Sequence, residues 1–157
     1  MSFIIQGLEA NLFGSLSDQT QDTFNGRPVE RHLVTESPGF PCRITLDDAE
    51  VGQTVFLLSY EHHCSVSPYA QSGPIFLTVS DSKRGEFVDS IPPALARRTL
   101  SLRAYDMAGS MIDAIIVEGR EAKAVIDQLF SNADVVGIDA HNASRGCFAA
   151  HVTRHGA

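Results

Sequence analysis

Residues 135–154 alternate between apolar and polar side chains on both sides of a short loop. Residues 135–141 and 147–154 each follow a period of two, and Asn-Ala-Ser-Arg-Gly at 142–146 separates them. This pattern predicts a β-hairpin, in which His141 pairs with Cys147. Because a shift of one residue would mix the two faces, burial specifies which side chains point into the core.

The predicted hairpin has one apolar face and one polar face. The apolar face consists of the pairs Val136·Val152, Ile138·Ala150 and Ala140·Phe148. The opposite face carries Asp139, His141, Cys147, Ala149 and His151. Asp139 and His141 lie about 7 Å apart on one strand, from a rise of ~3.3 Å per residue. We therefore expect one face to be core and the other to concentrate a carboxylate, a thiol and two imidazoles.

The rest of the chain predicts more strands and few helices. Further strands are predicted at residues 3–8, 29–34, 42–46, 54–60, 75–79, 100–105 and 111–117. The strand at 54–60 contains Val-Phe-Leu-Leu without alternation, which is typical of a central strand buried on both faces. Apolar spacing predicts the principal helix at about 120–131, and short helices are predicted at 17–24 and after Pro92. The prediction is one α+β domain, residues 1–157, with a mostly antiparallel sheet and the principal helix packed on a face.

Residues 62–80 contain no Asp, Glu, Lys or Arg, although 20% of the chain is charged. Their polarity comes from His, Ser, Tyr, Gln and Cys, which are buried at lower cost than ions. We predict a loop at 62–73 followed by a strand. Such a loop fits the wall of a ligand pocket or the core of a homodimer interface, where charged residues are depleted.

The net charge of −7 argues against nucleic acid as a partner, since no cluster of Lys and Arg offsets it. No apolar run approaches the ~20 residues that span a bilayer, so we predict no membrane partner. The first residues lack the pattern of a secretory signal, and the three cysteines form no Cys-x-x-Cys pair. A cytoplasmic location with reduced thiols is the prediction.

Several residues have side chains that bind zinc in other proteins. These are His62, Cys64, His141, Cys147 and His151. On a regular strand His62 and Cys64 would share a face while His63 points away. Because no compact ligand spacing exists, the sequence predicts no metal site and no cofactor.

A Cys/His-dependent enzyme, of hydrolase or transferase type, is one alternative. Cys42 or Cys147 would be the nucleophile, His62 or His141 the base and Asp139 the residue that orients it. Such groups must be adjacent in space, which a sequence does not show. Whether the chain is an enzyme stays open.

Binding of a small polar or anionic molecule beside residues 62–76 is the preferred prediction. The predicted ligand-binding residues are Arg43, Tyr60, His62, Tyr69, Arg103, Tyr105 and Asn142. The two arginines would hold an anion, the tyrosines would line the wall, and His62 with His141 would hydrogen-bond or exchange protons. A structural or interaction protein, with the uncharged loop as its dimer interface, is the third alternative.

Four runs of sequence resemble an uncharacterised bacterial family, the domain of unknown function 1203. They are PGFPCRITLDDAEVG, LLSYEHHCSVSPYAQSGPIF, LSLRAYD and HNASRGCFAAHV. The resemblance covers nearly the whole chain, from Phe3 to Arg154, and His63 and Cys64 depart from the family pattern. It implies a small bacterial cytosolic protein without a known activity.

Overall fold

The structure is a computed structural model that describes residues 1–17, 21–78 and 83–156. The strands, in chain order, are β1 (Phe3–Gln6), β2 (Thr23–Phe24), β3 (Arg27–Pro28), β4 (Glu30–Leu33), β5 (Thr54–His63), β6 (Gln71–Thr78), β7 (Glu86–Val88), β8 (Thr99–Tyr105), β9 (Met111–Glu118), β10 (Gly137–Asn142) and β11 (Phe148–Arg154). The helical segments are α1 (Pro93–Ala96), α2 (Ala122–Phe130) and the 3-10 segments Ala10–Ser17 and Gly119–Glu121. Mostly antiparallel sheet with few helices confirms the α+β prediction.

A six-stranded sheet forms the centre of the protein, in the order β7-β1-β11-β10-β8-β9. Each neighbouring pair in this main sheet is antiparallel. The predicted strands at 100–105 and 111–117 are confirmed as the hairpin β8–β9. The first strand also forms, although it ends at Gln6 rather than at residue 8.

Helix α2 covers one face of the main sheet, as predicted. Ile126, Leu129 and Phe130 are buried there. They share one apolar cluster with Phe3, Ile5, Leu100, Leu102, Ala104, Ile138, Ala140, Ala149, Ala150 and Val152. The short helix predicted after Pro92 is α1, where proline occupies the first turn without losing a helical hydrogen bond.

A three-stranded sheet, β4-β5-β6, lies against the opposite face of the main sheet. Val55 and Phe56 of β5 are both buried, which confirms the predicted central strand. A second apolar cluster joins this smaller sheet to β11 of the main sheet. Its buried members are Phe13, Leu16, Val29, Cys42, Ile44, Phe56, Leu58, Ile75, Leu77 and Phe148.

The register of the last hairpin differs from the prediction. Asn142 rather than His141 closes the loop against Cys147, and β11 has a bulge beside Phe148 and Ala149. The changed loop closure and the bulge together shift the pairing farther from the loop by two residues relative to the prediction. Ile138 therefore pairs with Val152, and both remain on the predicted apolar face.

Beside the bulge the shift is a single residue, which exchanges two side chains between the faces. Phe148 packs in the second cluster and Ala149 in the main core, opposite to the prediction. Val136, which was assigned to the apolar face, precedes β10 and is 41% exposed.

Two predicted elements are wrong. Residues 42–46 form a turn rather than a strand, closed by a hydrogen bond from Leu46 N to Cys42 O, with Leu46 at a φ of 62°. Of the predicted helix at 17–24, residues 18–20 lie outside the described residues, and Thr23–Phe24 is a strand. It pairs with Arg27–Pro28 across Asn25-Gly26, whose positive φ values suit a tight hairpin turn.

The uncharged stretch is mostly strand, not loop. β5 continues to His63 and β6 begins at Gln71, so the connection between them is residues 64–70. β6 contains the predicted strand up to Thr78, and residues 79–80 lie outside the described residues. Burial between the two sheets explains the lack of charge only in part, since Ile75 and Leu77 are buried but most of residues 64–72 are exposed.

Candidate functional site

Polar side chains from the two sheets meet where the β5 end of the smaller sheet covers the main sheet. Asp139 and His141 project from β10 on the face away from α2, and both are 0% exposed. His62 approaches them from β5. One ligand-type atom from each of these three side chains lies within 4.8 Å of the others. We call His62, Asp139 and His141 the inter-sheet cluster.

Each member of the inter-sheet cluster has a buried polar atom without a hydrogen-bond partner. These atoms are His62 Nδ1, Asp139 Oδ2 and His141 Nε2. Buried polar atoms are normally hydrogen-bonded, and each exception calls for an explanation. Within the described residues, three of the buried atoms that lack a hydrogen-bond partner are therefore in this cluster, where a bound water or ion could contact them.

His141 is held in one orientation by the loop of its own hairpin. Its Nδ1 donates a hydrogen bond of 2.9 Å to the carbonyl oxygen of Gly146. Burial lowers the pKa of His141 to about 4, and the nearby charge of Arg103 acts in the same direction. The ring is thus neutral at pH 7, with the proton on Nδ1 and a lone pair on the unpartnered Nε2.

Asp139 is fixed from the neighbouring strand. It lies directly opposite His151, whose Nδ1 donates to Asp139 Oδ1 over 2.6 Å. Gly137 makes room for this ring, because a Cβ at position 137 would lie 3.0 Å from His151 Cε1. The second oxygen, Oδ2, faces His63 Nδ1 at 3.9 Å, beyond hydrogen-bond distance.

A register shift in β5 turns two successive histidines toward the main sheet. His62 stacks on Phe148 with an interplanar angle of 4° and meets His141 edge-on. His63 stacks on Tyr105 at 3.9 Å between ring centroids, and its Nε2 donates to Gly109 O. The prediction that His63 points away is therefore wrong, because an irregular strand does not keep strict alternation.

The electrostatics of the site reflect burial and the Asp139 charge. Burial lowers the pKa of His62, which favours its neutral ring. Burial raises the pKa of Tyr60 and Tyr105, and the negative charge of Asp139 raises both further. The site therefore contains neutral imidazoles and phenols around one buried carboxylate.

A pocket of about 320 Å³ borders the inter-sheet cluster. It is lined by Gln6, Gly7, Leu8, Glu9, Leu12, Tyr60, His62, Arg84, Phe148, His151 and Thr153. Its charged side chains neutralise each other, since Arg84 pairs with Glu9 and also donates to Gly7 O. His151 is half-exposed on the wall, so a molecule in the pocket can reach an imidazole that Asp139 holds from behind.

The seven predicted ligand-binding residues occupy three places. Tyr60 and His62 line the pocket. Arg43 and Asn142 line a separate cavity of about 540 Å³, together with Arg98, Arg145 and Cys147. Arg43 is buried and serves the backbone there, donating to Phe148 O and Pro41 O. Burial lowers its pKa to about 10.

Arg103, Tyr105 and Tyr69 are outside both cavities. Arg103 lies opposite Asp139 on β8 and donates from Nε to Ser101 Oγ at 3.3 Å. Tyr105 is buried under His63, and Tyr69 is exposed on the 64–70 connection. The structure therefore does not bring Arg43 and Arg103 together as an anion clamp.

The cysteines are free thiols in three different settings. Cys42 is buried beside Thr78, Cys147 is half-buried in the second cavity, and Cys64 is exposed. Burial raises the pKa of Cys42, but hydrogen bonds from Thr78 and nearby backbone outweigh it and leave the pKa below its usual value. Among the described residues, no hydrogen bond joins Cys42 or Cys147 to an imidazole, so the expected nucleophile–base pair is not assembled.

The sequence prediction did not include His151 among the ligand-binding or catalytic residues. His151 was placed on the polar face and among the zinc-type side chains, but not in the predicted site. The hairpin signal could have identified it, because the correct register pairs it directly with Asp139. Because the predicted register differs from the observed one by two residues, it did not pair His151 with Asp139.

The fold and the cluster define an α+β protein with a buried carboxylate and imidazoles between two sheets. A family model described as Protein of unknown function (DUF1203) matches residues 39–154. The chain belongs to this family, as the sequence resemblance implied. Comparison with curated proteins and with solved structures found no match. Within the described residues, no helix is long and apolar enough to cross a membrane.

Proposed function

We propose that this protein binds a small polar molecule in the pocket lined by Tyr60, His62 and His151. One observation carries the proposal: the half-exposed ring of His151 lines the pocket, while its Nδ1 donates to buried Asp139 at 2.6 Å. Because Nδ1 donates to Asp139, the second ring nitrogen, Nε2, is left to hydrogen-bond a ligand. A ligand hydroxyl or amide can form that hydrogen bond.

The charges of the pocket favour a neutral ligand over an anion. Its acidic and basic side chains, Glu9 and Arg84, form an ion pair with each other. Polar groups on the wall include Gln6, Tyr60 and Thr153, and Phe148 provides apolar surface. Arg43 and Arg103, the arginines predicted to hold an anion, do not line this pocket.

The volume limits the size of the ligand. About 320 Å³ is at the lower end of the range for small-molecule pockets. A molecule with a short apolar part against Phe148 and a hydroxyl or amide against His151 fits these walls. Small alcohols, amides and sugars are therefore the probes of choice.

A thermal-shift screen with such compounds tests the proposal. A bound compound at one hundred times its dissociation constant should add roughly 2.7 kcal/mol to the stability of the native state. Tyr60→Phe and His151→Gln should each reduce this shift, since each removes a polar group from the wall. Arg145→Gln is the matched control, because Arg145 lines the second cavity.

Two results would defeat the proposal. One is the absence of a shift for every compound at saturating concentration. The other is a shift that persists in Tyr60→Phe and His151→Gln but disappears in Arg145→Gln, since that result would place the ligand in the second cavity.

A contact surface on the 64–70 connection is a second candidate function. Val66 is fully exposed at 104%, and Tyr69 beside it is also exposed. Such side chains at the tip of a charge-free connection suit the centre of a homodimer interface. Sedimentation analysis tests this: Val66→Glu should convert a dimer to a monomer, and a wild-type monomer at high concentration would contradict it.

A further inference from the structure

We propose that His62, Asp139 and His141 bind one divalent first-row transition metal ion of the zinc type. The inference concerns the inter-sheet cluster behind the pocket, and it does not depend on the proposed small-molecule ligand. It is carried by three buried, unpartnered atoms, His62 Nδ1, Asp139 Oδ2 and His141 Nε2. Their side chains each place one ligand-type atom within 4.8 Å of the others.

Within the described part of the chain, the cluster contains buried hydrogen-bond acceptors that have no donor. His141 donates from Nδ1 to Gly146 O, so the lone pair of Nε2 is left toward the cluster. Asp139 Oδ2 is also an acceptor, and both side chains are 0% exposed. Two buried acceptors without a donor are unfavourable, and a cation between them satisfies both.

A second histidine lies near the same carboxylate oxygen. His63 donates from Nε2 to Gly109 O, and its Nδ1 lies 3.9 Å from Asp139 Oδ2, beyond hydrogen-bond distance. The protein therefore surrounds one buried carboxylate oxygen with imidazole nitrogens and supplies no hydrogen-bond donor to it in the described structure.

The carbonyl and imidazole contacts around the cluster match those that support metal ligands in proteins. A histidine that binds a metal through one nitrogen usually donates from the other to a carbonyl or carboxylate. His141 does so to Gly146 O, and Asp139 is oriented in turn by His151 at 2.6 Å.

The donor set selects the class of metal. Two imidazoles and one carboxylate suit zinc and its first-row neighbours, whereas calcium and magnesium prefer oxygen ligands. Ligand atoms around a tetrahedral zinc ion are about 3.3 Å apart, given bonds of roughly 2.0–2.1 Å. The ligand-type atoms of the cluster, within 4.8 Å of one another, must move closer together to reach that spacing. With three protein ligands, one position remains for water or another ligand.

Metal loading of chelator-treated full-length protein tests the inference. We expect one Zn²⁺ or Co²⁺ per chain, by elemental analysis and by calorimetric titration. Co²⁺ should give the visible absorption of a four- or five-coordinate site. Ca²⁺ and Mg²⁺ should not compete at equal concentration.

Two substitutions and a control locate the ion. Asp139→Asn and His141→Gln should each weaken Zn²⁺ binding by roughly 100-fold or more, since each removes a direct ligand. His155→Gln should bind as the wild type does, because His155 is an exposed histidine outside the cluster. Circular dichroism must show that the variants are folded. Asp139→Asn should fold readily without metal, because the amide replaces an incompletely paired buried charge.

Three results would overturn the inference. The first is no stoichiometric uptake of Zn²⁺ or Co²⁺, which would leave a buried water as the occupant. The second is undiminished binding by both folded cluster variants, which would place the metal elsewhere. The third is equal affinity for Ca²⁺ or Mg²⁺, which would exclude the imidazole ligands.

Discussion

Asp139 and His151 lie directly opposite each other on β10 and β11, and a hydrogen bond of 2.6 Å joins Oδ1 to Nδ1. The pair connects a fully buried carboxylate to a half-exposed imidazole on the pocket wall. Through it, a change in the pocket can reach the inter-sheet cluster.

Gly137 is expected to be necessary for the Asp139–His151 hydrogen bond. In Gly137→Ala the new Cβ would lie 3.0 Å from His151 Cε1 and 3.3 Å from Nε2, so the ring must move. We expect the downfield Nδ1 proton resonance of His151 to be lost in the NMR spectrum, as in Asp139→Asn. Gly14→Ala is the control, because its Cβ would meet nothing within 4 Å. An unchanged resonance in Gly137→Ala would contradict the geometry.

Asp48 is expected to contribute strongly to stability through Arg98. Arg98 Nη2 lies 2.6 Å from Asp48 Oδ1, and the Asp48 side chain is only 2% exposed. Asp48→Asn should lower the free energy of unfolding by about 3 kcal/mol, since it leaves the charge of Arg98 unmatched. Asp47→Asn is a matched control that should cost at most about 1 kcal/mol, because Asp47 is exposed and its ion pair is with exposed Arg97.

The same ion pair predicts a pH dependence. Burial raises the pKa of Asp48, but the hydrogen bonds and charge of Arg98 outweigh it and hold the pKa below its usual value. The stability that this carboxylate contributes is therefore present above the unfolded pKa of about 3.9 and is lost as the pH falls below it. Urea unfolding at several acidic pH values should show a smaller loss in Asp48→Asn than in the wild type; parallel losses would contradict this account.

The bulge in β11 can be tested at Ala149. In the structure this side chain is buried in the main core, whereas the predicted register placed it on the polar face. Ala149→Leu should overpack the core and cost about 1–3 kcal/mol. Ala114→Leu, at an exposed position of β9, should be nearly neutral. Tolerance of leucine at 149 in denaturant unfolding would favour the register without the bulge.

The sequence predicts the local elements of this fold better than their pairing. Period-two alternation identified β8, β10 and β11, and β9 was predicted as the hairpin partner of β8. The bulge beside Phe148 was not predictable, because it depends on the smaller sheet, which provides the second apolar cluster for that ring. Likewise, the sequence of residues 17–24 did not distinguish a short helix from the first strand of a hairpin.

The members of the inter-sheet cluster were predictable, but their assembly and the place of His151 on the pocket wall were not. Asp139 and His141 followed from strand alternation, and His62 was singled out within the charge-free stretch. Distances between separate elements are not encoded in spacing along the chain. The sequence therefore grouped Arg43 with Arg103, whereas the fold places Arg43 in another cavity and brings His62 to β10.

His141 is expected to make stability depend on pH in the weakly acidic range. Its pKa is about 4 in the folded protein, because of burial, against an ordinary value of 6.5. Between these values the unfolded chain binds the proton and the folded protein does not. The contribution to stability is therefore complete above about pH 6.5 and is lost as the pH falls toward 4. His62 is shifted in the same direction, so one substitution should remove only part of the effect.

Urea unfolding of His141→Gln between about pH 4 and pH 7, with chelator present, measures this contribution. Glutamine keeps an amide that can donate to Gly146 O but has no proton to gain in this range. Its stability should change less with pH than that of the wild type, whereas His155→Gln should follow the wild type. Equal slopes for His141→Gln and the wild type would show that His141 is protonated alike in the folded and unfolded states, contrary to its burial between the two sheets.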